Sequence, residues 1–215
     1  MSALAVSEGT SLDQLSASFL SDVLTDIYLE EKNIVVWRRI LPPDLVLALQ
    51  HHLQECHSIR LSLVVSPEDA TDALMEALSP VSCRADLARV LAELVEMFCC
   101  LFDQERVGLR LTTLDTAMCP KFHVDKVPCR LVTTLTGPGT QWLSNDLLNR
   151  DGLGAGAAHF KLYDDDRDIQ QMALGDVALL KGERWIGNEN RGIVHRSPPV
   201  NSGEKRLLLT LDFAD

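Results

Sequence analysis

His123 and Asp125 stand one residue apart in Lys121-Phe122-His123-Val124-Asp125, and another imidazole, His195, follows much later in Val194-His195-Arg196. Strand-like sequence surrounds both pieces. In extended backbone, residues i and i+2 point to the same side. The spacing therefore predicts a strand over 121–125, with His123 and Asp125 projecting together and Val124 facing away. Two imidazoles and one carboxylate bind a divalent metal on one face and leave the opposite face open. The expected catalytic and metal-binding set is thus His123, Asp125 and His195.

A second chemical group lies on the last strand-like run, Lys205 to Phe213. Alternation puts Arg206, Leu208 and Thr210 on one face and Leu207, Leu209, Leu211 and Phe213 on the other. The second face is wholly apolar and needs a cover. The first then looks inward, where a guanidinium is costly without an anionic partner. Guanidinium matches a carboxylate bidentately, so the partner is either a protein acid or the carboxylate of a small cosubstrate.

Two other readings stay open at this level. Cys119, His123, Asp125 and Cys129 lie within eleven residues, and with His195 they could make a closed tetrahedral zinc site, as in a metal-binding or sensing protein with no turnover. A module without a metal could use Arg206 and Arg130 to hold an anionic small molecule or peptide. Trp185, Asn188, Glu189 and Asn190 precede His195 and are candidates for the lip of a pocket.

These side chains need elements to position them. Apolar residues at helical spacing predict helices over 12–31, 43–56, 66–78 and 84–103, with short strands at 33–37 and 61–65. Pro42-Pro43 opens the second helix, and Ser66-Pro67-Glu68-Asp69 opens the third. Residues 1–10 read as a mobile end. From about 105 the pattern changes to short β-type runs: 107–114, 121–125, 130–136, 140–143, 159–163, 177–180, 192–195 and 205–213. Gly152 to Gly156 lacks the strand-loop-helix context of a dinucleotide loop and reads as a plain loop, and 164–168 as an exposed turn. The chain thus divides into a mainly helical region, 1–104, and a β-rich metal-binding core, 105–215, a sandwich or barrel of the α+β class.

The chain has 215 residues, formal charge −11 and a pI of about 4.9. That balance argues against nucleic acid as a partner, because phosphate binding needs clustered Lys and Arg. No apolar run is long enough to span a membrane, and the first residues lack the basic and apolar regions of a signal peptide. The six cysteines, Cys56, Cys83, Cys99, Cys100, Cys119 and Cys129, contain no CxxC and make a poor disulfide framework. Reduced thiols and a cytoplasmic location are expected.

His123-Val124-Asp125, His195 and Arg206 together resemble the signature of Fe(II)/2-oxoglutarate-dependent oxygenases. Gly192 to Arg206, with Val194-His195-Arg196-Ser197-Pro198-Pro199-Val200 at its centre, is similar to the corresponding run of the prolyl-hydroxylase-like branch. Gly139 to Leu143 and Gly175 to Leu180 resemble middle strands of that fold. The resemblance covers roughly 105–213. It implies a double-stranded β-helix, or jelly roll, with N-terminal helices packed on its major sheet. It implies Fe(II) on His123, Asp125 and His195, and 2-oxoglutarate with its distal carboxylate on Arg206. It further implies a hydroxylase that releases CO2 and succinate and acts on a small molecule or a protein side chain. The sequence departs from the pattern in two places: Leu208 stands where many relatives carry Ser or another polar group, and the usual upstream Asn or Tyr contacts to the cosubstrate are not evident, with Arg110, Thr112 and Arg130 the nearest polar candidates. The whole chain also resembles a bacterial domain family of unknown function, through Met118 to Asp125 and Val177 to Glu183.

Overall fold

One strand, β10 (Arg206–Phe213), divides the interior into two compartments. Leu207, Leu209 and Leu211 join a large apolar core that also holds Leu45, Leu49 and Leu87. Leu208, on the other face, joins a smaller core with Val132, Trp142 and Ile193. The alternation of this strand therefore sorts a helix side from an inter-sheet side, as its sequence requires. The computed structural model describes residues 15–55, 57–154 and 161–214.

The larger sheet has seven strands in the order β1-β2-β8-β5-β10-β4-β3. These are β1 (Leu15–Ser18), β2 (Ile34–Trp37), β3 (Arg60–Val65), β4 (Val107–Leu114), β5 (Cys129–Thr136) and β8 (Val177–Lys181), together with β10. All pairs are antiparallel except β1 with β2. Strands from before residue 105 thus extend both edges of the sheet built by the later strands. The smaller sheet has the order β7-β6-β9, from β6 (Gln141–Leu143), β7 (Gln170–Gln171) and β9 (Val194–Arg196). Its Trp142 meets Val132, Leu180 and Leu208 of the larger sheet in the inter-sheet core.

Three α-helices occupy the helix side: α1 (Pro43–Gln54), α2 (Ala70–Ala77) and α3 (Arg84–Phe102). Pro43 sits in the first turn of α1, where a missing N–H costs nothing. Before α2, the Ser66 and Asp69 side chains each accept from the other's backbone N–H, which holds the turn that the sequence marks. Leu87, Leu91, Leu94, Val95 and Phe98 of α3 are buried in the same core as Leu207 and Leu209.

Two expectations are corrected. Of the helix expected over 12–31, residues 12–14 lie outside the described residues, and the rest is instead a strand, Leu15–Ser18, and a 3-10 helix, Ser21–Tyr28. Val23, Leu24 and Ile27 keep the buried helical spacing. Upstream of them, the open backbone of β2 offers hydrogen-bond partners along Leu15 to Ser18, and pairing overrides helical periodicity. The expected strand over 121–125 shrinks to a single bridge between His123 and His195. Pro120 and Pro128 flank it and cannot donate to a ladder. Of the strand expected over 159–163, residues 159 and 160 lie outside the described residues, and Tyr163 makes one bridge to Leu148. Cys56 also lies outside them.

No described helix is long and apolar enough to cross a membrane. Leu209 is fully buried where β10 meets the helix side. Leu209→Ala is expected to cost about 2–5 kcal/mol of stability, the range for a buried Leu truncation, read as a lowered urea midpoint at unchanged slope. An unaltered midpoint would contradict this packing.

Candidate metal centre and anion pocket

His123 and His195 are joined backbone to backbone: each N–H donates to the other's carbonyl at 3.0 Å. This reciprocal pair brings two distant parts of the chain side by side. The ring centroids lie 4.6 Å apart. Each imidazole Nδ1 lies near a carbonyl two residues earlier, His123 at 3.0 Å from Lys121 O and His195 at 3.2 Å from Ile193 O. A carbonyl only accepts, so Nδ1 carries the proton in both rings and each Nε2 is left as the free lone pair.

Both Nε2 atoms face Asp125, His123 at 3.6 Å from Oδ1 and His195 at 3.4 Å from Oδ2. One ligand atom from each of His123, Asp125 and His195 lies within 4.8 Å of the others. Three acceptors converging on one point repel unless a cation sits among them. The donor set therefore fits a divalent ion, in the facial arrangement of two His and one carboxylate. Without one, the neighbouring Asp125 draws a proton onto the His123 ring and raises its pKa. Burial pushes the Asp125 carboxyl up, but the pull of His123, His195 and Arg130 holds it well below the usual carboxylate range. Asp125 is thus an anion.

Asp125 is aimed by Arg130, whose Nη1 donates to Oδ2 at 2.7 Å. Arg130 is itself clamped by Asp212, Nε to Oδ1 at 2.7 Å and Nη2 to Oδ2 at 3.0 Å. The bidentate pair fixes the guanidinium plane. Parity on β10 puts Asp212 on the face of Arg206, Leu208 and Thr210, so strand alternation alone marks it as a candidate in the sequence. The 125–127 segment also packs on Gly182: a Cβ there would lie 2.1 Å from Val127 O and 2.8 Å from Asp125 O.

His123 and His195 open onto a cavity of about 120 Å3 between the sheets, which Arg206, Arg110, Thr112 and Arg130 also line. At a water's share of about 30 Å3 in the liquid, that is room for roughly four waters, or for one compact organic acid. Arg206 is 1 % exposed. Its donors reach only hydroxyls: Thr140 Oγ1 at 2.7 Å, Thr134 Oγ1 at 3.1 Å and Ser197 Oγ at 3.3 Å. Among the described residues no carboxylate pairs with it, and burial alone pushes its pKa down to about 10. Thr134, Thr140 and Ser197 were not singled out from sequence, because each comes from a different loop or strand and nothing local marks it.

The cysteines separate. Cys119 is exposed at the cavity, outside the group of three ligands. Cys129 is fully buried in the helix-side core, on the opposite face of β5 from Arg130, and burial pushes its thiol well up. It cannot join the centre without turning the strand over, so the four-ligand zinc set is not assembled. Trp185 is not a pocket lip either. It packs on Tyr28 and Phe102, with Lys181 Nζ 4.8 Å from its ring, while Asn188 is buried and donates to Gly182 O.

Residues 20–212 match the family described as "Protein of unknown function (DUF1826)". The chain belongs to that family. No curated protein matches this DUF1826 chain in sequence. Among solved structures it is similar to JOX2 in complex with 2OG, Fe and JA, with a TM-score of 0.50, 12 % identity, and 92 % of this chain and 73 % of that one covered. It is also similar to dioxygenase for auxin oxidation 1 from Arabidopsis thaliana in its 2-oxoglutarate complex (TM-score 0.49, 9 % identity, 93 % and 91 % covered). A prolyl-4-hydroxylase from Pseudomonas putida matches with TM-score 0.42, 15 % identity, and 90 % and 98 % covered. The DUF1826 chain is thus a mixed α/β protein with a large sheet, similar in fold to JOX2.

Gly182→Ala forces the 125–127 backbone to move, because the clashing atoms are carbonyl oxygens. It is expected to cost about 1–3 kcal/mol, the range for overpacking, measured by urea unfolding. Wild-type stability in this variant would show that the segment is not held as described.

Proposed function

We propose that this protein is a non-haem Fe(II)- and 2-oxoglutarate-dependent oxygenase built on a double-stranded β-helix. The observation that carries the reading is Arg206: a buried guanidinium with only hydroxyl partners among the described residues, in the cavity onto which both histidines of a His-Asp-His donor set open. An unpaired buried charge is costly, and the carboxylate of a small diacid would relieve it. The similarity in fold to JOX2, solved in complex with 2OG, Fe and JA, supports this reading.

His123, Asp125 and His195 would hold Fe(II) through two Nε2 atoms and a carboxylate oxygen. When bound, iron supplies the activation of O2 that converts 2-oxoglutarate to succinate and CO2 and inserts one oxygen atom into a substrate C–H bond. The chain's own residues position and insulate. Lys121 O and Ile193 O keep both imidazoles in the metal-binding tautomer. Arg130 orients Asp125 and is itself held by Asp212, so its charge is spent on protein acids. Arg206 takes the distal carboxylate of the cosubstrate. Thr134 and Thr140 aim its fork. Leu208, Val132 and Leu180 give the cavity an apolar wall that limits water near the metal.

The test is anaerobic addition of Fe(II), then 2-oxoglutarate, to metal-free protein. A visible metal-to-ligand charge-transfer band is expected in the wild type and is absent from His123→Ala. Arg206→Gln should retain iron but bind 2-oxoglutarate about 30-fold or more weakly, since losing one partner of a buried charge pair costs roughly 2 kcal/mol or more. Stoichiometric zinc with no band, lost on changing Cys119, would sink the oxygenase reading.

A further inference from the structure

The cavity holds more cationic charge than a cosubstrate and a metal ligand set account for. Four arginines line it: Arg110, Arg130, Arg196 and Arg206. Arg130 is neutralised by Asp125 and Asp212. On the reading proposed above, Arg206 is assigned to the cosubstrate carboxylate. Arg110 and Arg196 remain, and neither forms an ion pair with an acid among the described residues. This surplus sits in a chain whose net charge is −11, so it is local and not a reflection of a basic surface. A divalent metal would increase it further.

Arg196 is held ready without being used up. Its Nε donates to Gln141 Oε1 at 2.8 Å, and its guanidinium carbon stands 4.4 Å from the centre of the Phe122 ring. Phe122 is in turn braced edge-on by Tyr163 at 5.6 Å. One hydrogen bond and one stacking contact fix the plane, while the two terminal amino groups make no hydrogen bond among the described residues. A planar fork fixed in this way binds a carboxylate or phosphate with little further loss of side-chain freedom.

Arg196 and His123 also line a second, larger groove of about 790 Å3. That lies within the ordinary range for small-molecule sites. Its charged side chains are Lys121, Lys126 and Arg196 against Glu183 alone, with Phe122 and Leu153 as apolar contacts. Cations concentrated around a concave site attract anions to it.

We infer that the primary substrate is a small organic anion, a carboxylate or phosphate monoester, gripped by Arg196 and Arg110 beside the His-Asp-His set. The inference deepens the oxygenase reading and rests on it for the word substrate. The anion site itself is tested separately.

The experiment uses full-length protein loaded with Mn(II) and N-oxalylglycine, an isostere of 2-oxoglutarate that does not turn over. Phenyl phosphate, phenylacetate and neutral benzyl alcohol are then titrated by calorimetry. At least one anion is expected to bind ten-fold or more tighter than benzyl alcohol and to weaken as KCl rises. Arg196→Gln and Arg110→Gln should each weaken that anion about ten-fold, as expected for a charged hydrogen bond of about 1.5 kcal/mol, and leave N-oxalylglycine binding unchanged. Arg206→Gln should do the reverse. Equal binding of benzyl alcohol, wild-type anion affinity in both Arg196→Gln and Arg110→Gln, or dependence on Arg206 alone would overturn the inference. Failure of wild-type protein to bind N-oxalylglycine would instead remove the oxygenase reading and leave the anion site standing on phenyl phosphate alone.

Discussion

A guanidinium buried with no counter-anion is the constraint around which the inter-sheet cavity is arranged. Arg206 is 1 % exposed and meets three hydroxyls but no acid among the described residues. Hydroxyls satisfy hydrogen-bond geometry without neutralising charge. On the proposed reading, an anion of matching shape would recover the remaining electrostatic cost. The helix side of β10 supplies the compensation: Leu207, Leu209 and Leu211 bury apolar surface against the helices and hold the strand in place. Strong packing on one face permits a strained charge on the other.

The opposite charge problem is solved next door. Asp125 is an anion close to two imidazole lone pairs, and it stays in place because Arg130 holds it and Asp212 holds Arg130. Two cationic residues of the same cavity thus have different fates. Arg130 lies opposite two protein acids and becomes a structural tie. Arg206, near the other end of β10 from Asp212, meets none among the described residues and, on the proposed reading, is left for a ligand. The His123–His195 backbone pair closes the arrangement by joining the smaller sheet to the loop that carries Asp125.

Helices over 43–54 and 84–102 and strands such as 107–114 and 206–213 follow their residue patterns closely, because each buries a face whose period is set locally. The first segment does not. Residues 15–18 have apolar spacing compatible with a helix, yet an unpaired strand edge 16 or more residues away in sequence captures their backbone. Likewise 121–125 alternates like a strand but lies between two prolines and finds one bridging partner only. In both places long-range hydrogen bonding, which no local window contains, decides the outcome.

The sequence by itself determined the candidate donor set and the inward direction of Arg206, since i, i+2 parity and the apolar opposite face of β10 dictate which side chains share a side. It could not rank Arg130, Arg110 and Arg206, three arginines of one chemistry. Only tertiary structure decided which meets Asp125 and Asp212, which meets hydroxyls, and which meets no acid. It also sent Cys129 to the far side of β5 and brought Thr134, Thr140 and Ser197 to one guanidinium. Ion pairing depends on separations of a few ångströms between residues tens of positions apart, and sequence spacing carries no such distances.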